Sequence, residues 1–172
     1  MAWGVNVRDE AAEPRLLDCI PAYAAGLPLE YGQAAIRCGE QMSERRLVGS
    51  GSRFEPEIGF SRAVRAGAHI AVAGTAPVSG AGGTATPGDV YGQTKRCLEI
   101  IDAAITEAGG TLEDVVRTRV MLVDITTWRE AARAHGEYFG AIRPVCTFVE
   151  VSRFIDPQWL VEIEADAIVL AR

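Results

Sequence analysis

Near the end of the chain, apolar and charged positions alternate one for one. In VEIEADAIVL (161–170), Glu162, Glu164 and Asp166 fall between Ile163, Ala165 and Ala167. A strand projects successive side chains to opposite faces, so this stretch predicts a strand with one apolar and one acidic face. Upstream, FSRAVRAGAHIAVAG (60–74) predicts two short strands joined around Ala66-Gly67-Ala68. The period then lengthens to that of a helix. Val90, Thr94, Cys97, Leu98, Ile101, Ala104, Ile105 and Ala108 recur as one stripe. Thr86 is the expected N-cap of this helix, with Pro87 at N1 and Asp89 at N3, and Gly109-Gly110 is its stop.

VVRTRVMLVDI (115–125) predicts a third strand and TTWREAARAHGEYFG (126–140) a second helix. Thr127 and Glu130 stand at capping-box spacing; Trp128, Ala131, Ala132, His135 and Tyr138 or Phe139 form the expected inner face. VCTFVEV (145–151) adds a strand, and a loop around Asp156-Pro157 leads into the last one. The order β-β-α-β-α-β-β predicts an α+β domain with two helices packed on one sheet.

Residues 1–41 read differently. Three prolines and no sustained period interrupt them, and Met42 opens MSERRLVGSG like a natural protein start. Two readings stand for this segment, a loosely packed extension or translation from an upstream start codon. The domain is expected to span 42–172, with Gly49-Ser50-Gly51-Ser52 as its lead-in. The first residues lack the basic region and apolar core of a signal peptide, which gives a cytoplasmic expectation.

Composition narrows the function classes. Of 172 residues, 48% are hydrophobic and 23% charged, enough to bury a real core. A net charge of −6, with only Arg45-Arg46 and Lys95-Arg96 as basic pairs, argues against a nucleic-acid footprint. No apolar run approaches a membrane span. Cys19, Cys38, Cys97 and Cys146 show no paired spacing, and His69 and His135 are the only histidines. Free thiols and no metal site are expected.

The acidic face of the last strand needs an opposite party. Arg117 and Arg119 share a face of the middle strand with Met121 and are plausible partners for Glu162 and Glu164; Glu164 and Asp166 read as structural partners of these arginines rather than as catalysts. Cys146, Phe148 and Glu150 share a face of the next strand. Charges mixed with Met121 and Phe148 suit a half-buried oligomer seam; a plain solvated face is the simpler alternative.

The segments GFSRAVRAGAHIAVAGTAPV, VVRTRVMLVDI, RPVCTFVEV and VEIEADAIVL, in this order, resemble the RidA (reactive intermediate deaminase, YjgF-like) family over roughly residues 45–172. That resemblance implies a chorismate-mutase-like fold, a homotrimer and small-molecule clefts between subunits. It further implies cofactor-free hydrolysis of 2-imino or enamine acids to 2-keto acids and ammonia. Glu162 matches the family glutamate that positions the attacking water, Gly74 the glycine whose backbone lines the cleft, and Pro144 the proline before the active strand. Phe60, Ser61, Arg119 and Phe148 complete the expected substrate-binding set. The ribonuclease label sometimes attached to the family gains no support from an acidic chain.

The chain also departs from the family pattern. Cys146 stands where the family's carboxylate-clamping arginine belongs, Ala73 replaces a usual serine, and Phe60-Ser61 replaces a usual aromatic. Trp159 and the Asp156-Pro157 loop match an arginine-less branch. Arginine binds a carboxylate bidentately, whereas a thiol offers a weak donor and no fixed charge. Losing one partner of such a pair costs about 2–5 kcal/mol, roughly 30- to several thousand-fold in binding. The alternative to an imine hydrolase is therefore a non-catalytic, metabolite-binding trimer. A nucleophilic Cys146 is a further option, although an adjacent Glu162 would raise rather than lower its pKa.

A chain beginning at Met42 is expected to fold, to assemble as the full chain does, and to melt within a few degrees of it by circular dichroism. A large drop in melting temperature would show that residues 1–41 pack on the domain.

Overall fold

The computed structural model describes residues 45–170. The expectations for residues 1–41, and for Cys19 and Cys38, lie outside the described residues. Six strands form one sheet: β1 (Arg45–Val48), β2 (Ala63–Ala66), β3 (His69–Thr75), β4 (Val115–Leu122), β5 (Val145–Glu150) and β6 (Val161–Ile168). Their spatial order is β1-β2-β3-β6-β4-β5. Only the β4–β5 pair is parallel, and a helix connects its two strands. The helices are the short α1 (Phe54–Ile58), the long α2 (Val90–Glu107) and α3 (Trp128–Phe139). This is the expected α+β layer, with β1 and α1 added at its start.

β6 lies inside the sheet because its alternation fits both neighbours. Val161, Ile163, Ala165 and Ala167 are buried, while Glu162, Glu164 and Asp166 point to the other side. The buried set packs with Ile70, Leu98, Ile101, Ile105, Val120 and Leu122 in one core. A one-residue slip would put three carboxylates into that core, so the register is strongly specified. Between β2 and β3 the loop is two residues, Gly67-Ala68, with Gly67 at φ 61°. Tight hairpins use that left-handed conformation.

Several local expectations need correction. α2 starts at Val90, with Asp89 as N-cap, rather than after Thr86. Gly88 at φ 81° cannot continue a helix backwards, so residues 86–89 form a turn closed by Asp89 N–H to Thr86 O. The Thr127–Glu130 capping box does not form. Thr127 donates to Asp124 O instead, Asp124 accepts from Thr126 N–H, and Glu130 pairs with Arg133. Along α3, Ala131, Ala134 and Phe139 are buried, whereas Trp128 is exposed at the helix start. β1 escaped sequence reading because four residues with one buried side chain carry no measurable alternation. It exists through its pairing with β2.

The face assignment of β5 also changes. Cys146, Phe148 and Glu150 align with Thr118, Val120 and Leu122, all buried beneath the helices. Phe148 meets Trp128 and His135 edge-on, each at 6.3 Å between ring centroids. Cys146 and Phe148 thus belong to the helix side, and Arg117, Arg119 and Met121 face away from it.

Ile163→Ala removes a fully buried side chain at the centre of this packing. It is expected to cost about 2–5 kcal/mol in urea unfolding. Ile155→Ala, at a side chain 95% exposed, is the control and should change little.

Candidate functional site

Along the open face of the sheet, the acidic row of β6 finds its partners by strand register. Arg119 lies opposite Glu164 and donates to it from Nε at 2.7 Å. Arg117 lies opposite Asp166, 3.9 Å away, and His69 approaches the same carboxylate at 3.4 Å. Glu162 lies opposite Met121 and receives neither arginine. Of the carboxylates expected to partner Arg117 and Arg119, Glu164 and Asp166 are therefore the two engaged, and Glu162 is left out. A bulge at Val116 precedes this register: Val115 pairs with Ala167, but Arg117 already pairs with Asp166.

On its other side, Glu162 meets a second irregularity. Val72 pairs with Ala165 and Thr75 with Ile163, so β3 carries one extra residue across Ala73-Gly74. Glu162 folds onto that bulge so closely that a Cβ on Gly74 would overlap Glu162 Oε1. Glycine at 74 is needed for this close approach, not for an unusual φ. Arg62 Nη1 closes the bulge from the loop before β2, donating to Gly74 O at 2.8 Å and Thr75 Oγ1 at 2.9 Å.

Burial pushes the Glu162 carboxyl above its ordinary range; Arg62 opposes the rise and Glu164 adds to it. The sign is that of an acid raised on folding. Its protonated form is favoured in the native state, so this contribution to stability is present below the ordinary glutamate pKa and is lost as pH rises through the folded value. A half-buried carboxylate with a raised pKa and no ion-pair lock is suited to taking up a proton.

The strand carrying Glu162 is anchored at its start. Gln93, fully buried on α2, donates to Gln158 O at 2.9 Å and accepts from Leu160 N–H at 2.8 Å. This amide clamps the loop after Asp156-Pro157 to the helix, where Trp159 Nε1 is buried without a partner. Gln93 and Arg62 were both missed by sequence reasoning. Gln93 interrupts an apolar stripe, and Arg62 reads as a surface charge; only its place beside Phe60-Ser61 hints at more.

Phe60 and Ser61 are half-buried in the loop leading to Arg62. Phe148 and Cys146 lie on the opposite sheet face from Glu162, so a single chain does not bring the proposed thiol and carboxylate together. Cys146 is exposed. Its thiol is pushed up chiefly by local desolvation, against a Thr118 hydrogen bond that lowers it. Thr118 Oγ1 in turn lies 2.9 Å from His135 Nε2, and burial pushes that imidazole's pKa down. Buried Cys97 is pushed up strongly by desolvation and behaves as core. An open groove of about 380 Å³, lined by His69, Val116, Arg117, Val145, Asp166 and Ile168, includes neither Glu162 nor Cys146. Among the described residues, no three or more His, Cys, Asp or Glu side chains form a metal-binding group, and no helix is long and apolar enough to cross a membrane.

A two-helix layer on a six-stranded sheet, with a carboxylate seated on a glycine bulge, defines a YjgF-like class of protein. The Endoribonuclease L-PSP family model matches residues 50–169, and the chain belongs to this family. It is similar to the uncharacterised protein SCO2049 of Streptomyces coelicolor, 43% identical over 122 residues, covering 71% of this chain and 90% of that protein. A RutC family protein of Pyrococcus abyssi is 40% identical over 108 residues, 63% of this chain and 84% of its own. The crystal structure of Rv2704 from Mycobacterium tuberculosis, a YjgF/YER057c/UK114 family member, superposes with a TM-score of 0.67 at 49% identity. That match covers 73% of this chain and all of Rv2704.

Gly74→Ala tests the seat of the carboxylate. The methyl group meets the flexible end of Glu162 rather than backbone, so the variant should lose less than about 1 kcal/mol. Its Glu162 side chain should swing off the bulge, visible as a changed carboxyl ¹³C titration. An unmoved titration would show that Glu162 does not depend on Gly74.

Proposed function

We propose that this protein acts on a small imine or enamine metabolite in a cleft between the subunits of a homotrimer, with Glu162 orienting and activating water. Family membership supports a small-metabolite-acting protein. The observation that carries the finer reading is the state of Glu162: desolvated, aimed at the Gly74 bulge and passed over by both β4 arginines. Glu162 takes a proton from water as the oxygen adds to the C=N carbon and returns it to the nitrogen, giving the carbinolamine. The hydroxyl proton then passes to nitrogen as C=O forms, the C–N bond breaks and ammonia leaves. One imine and one water give one carbonyl compound and one ammonia, and no cofactor is needed.

Subunit association supplies what the single chain lacks. The open face mixes the carboxylate–arginine rows with exposed Leu47, Val145, Val149 and Ile168, a composition suited to a wet interface. Since Glu162 and Cys146 lie on opposite faces of one sheet, a shared cleft would have to take them from two chains.

A second reading, a trimer that binds a metabolite without turning it over, is favoured by Cys146 itself. An uncharged, exposed thiol stands in the clamp position, and Arg119 is engaged by Glu164. Binding of a 2-imino acid carboxylate then has no dedicated cation.

Light scattering should give a mass near three chains; a stable micromolar monomer would sink the cleft. Wild-type protein should hydrolyse 2-iminopropionate, generated in situ by an amino-acid oxidase, weakly or not at all. Cys146→Arg should raise the rate, and adding Glu162→Gln should abolish the gain. A wild-type rate equal to that of arginine-bearing relatives would refute the clamp argument. A folded Cys146→Arg trimer that stays silent would favour the binding reading.

A further inference from the structure

Arg62 and Glu162 meet the same residue from different elements. Arg62 Nη1 donates to Gly74 O at 2.8 Å, to Thr75 Oγ1 at 2.9 Å and to Ala73 O at 3.4 Å, while Glu162 Oε1 packs against the Gly74 α-carbon. Among the described residues, all of the side chain's hydrogen bonds run through this one nitrogen, and Nε is buried without a partner. A side chain serving only as a brace would gain by spending its other donors. Desolvating a guanidinium in this way is costly unless its charge is used.

We propose that Arg62 is the positioning residue of the site: it holds the β3 bulge under Glu162 and supplies the fixed positive charge that keeps the Glu162 carboxylate available as a proton acceptor. The catalytic meaning of this rests on the function proposed above; the electrostatic coupling itself does not. An arginine suits the task because it stays charged at any working pH. Burial pushes its pKa down, and Glu55 and then Glu162 push it back.

The other groups facing Glu162 do not replace that charge. Glu164 on the same strand opposes ionisation, and Arg119 is held by Glu164. Cys97, on α2 across the sheet in the core, is kept a neutral thiol by burial. Met121, opposite on β4, carries no charge. Glu55 competes for Arg62 from α1, although its carboxylate is already held by Ser50.

The test uses the full chain and carboxyl ¹³C titration of Glu162. In Arg62→Gln the midpoint should move to higher pH; in Arg62→Lys, which keeps the charge, it should stay near wild type. A folded, cooperatively melting Arg62→Gln protein with an unmoved midpoint would reduce Arg62 to a brace and overturn the proposal. Should Arg62→Gln fail to fold, the wild-type Arg62 Nε ¹⁵N resonance decides. A titration step at the Glu162 midpoint, absent in Glu162→Gln, supports the coupling, and a flat resonance overturns it. The two ideas fail separately. A moved midpoint in a protein without hydrolase activity, even as Cys146→Arg, removes the enzymatic reading and leaves the coupling standing.

Discussion

The burial of one face of β6 is the constraint on which the other elements depend. Ile163, Ala165 and Ala167 lie under α2 and bind two neighbouring strands at once. Because side chains alternate, burying that face commits Glu162, Glu164 and Asp166 to the other. The acidic row is thus a by-product of core packing before it is anything functional. What distinguishes its three members is the register of the flanking strands. Two bulges, at Val116 and across Ala73-Gly74, give each carboxylate a different environment.

That distinction is invisible in a pattern of periods. The alternation of β6, the hairpin at Gly67-Ala68 and the stripe of α2 were legible because each repeats over several residues, and repetition makes one-dimensional reading possible. The α2 start and the α3 cap were misread because short polar residues near a helix have several acceptors within reach. Thr127 had Asp124 O as an alternative to the capping geometry, and Gly88 made the earlier start impossible. The exclusion of Glu162 from both arginines was harder to read. It depends on a register set after a single-residue bulge at Val116, and no local propensity announces one.

The candidate site divides in the same way. Glu162 and Gly74 were legible as a pair through the family pattern, and the fold brings them into contact. Gln93 and Arg62 were not, because each is a polar residue whose importance lies in remote backbone carbonyls, 65 and 12 residues away respectively. Phe148 and Cys146 were placed on the wrong side because an edge strand with five exposed positions gives no clear parity. The pairing with β4 and the contacts of Phe148 with Trp128 and His135 settle it.

Charge distribution links these points to chemistry. Arg117, Arg119 and Arg62 flank the acidic row of β6 or the bulge beside it, and each is committed differently: Arg117 to Asp166, Arg119 to Glu164, Arg62 to the carbonyls around Gly74. Exposed pairs such as Arg119–Glu164 are screened by water and contribute little to stability. Their effect is to remove two cations from the set that could lock Glu162. A direct arginine fork would hold Glu162 ionised and orient both of its oxygens, leaving a poor base. Desolvation without any cation would push its pKa further up and disfavour the carboxylate form that accepts a proton. Arg62, fixed by backbone and offset from the carboxylate, lies between those limits. The bulge that admits Glu162 to Gly74 is also the bulge whose carbonyls hold Arg62, so one irregularity in β3 sets both the position of the carboxylate and the charge beside it.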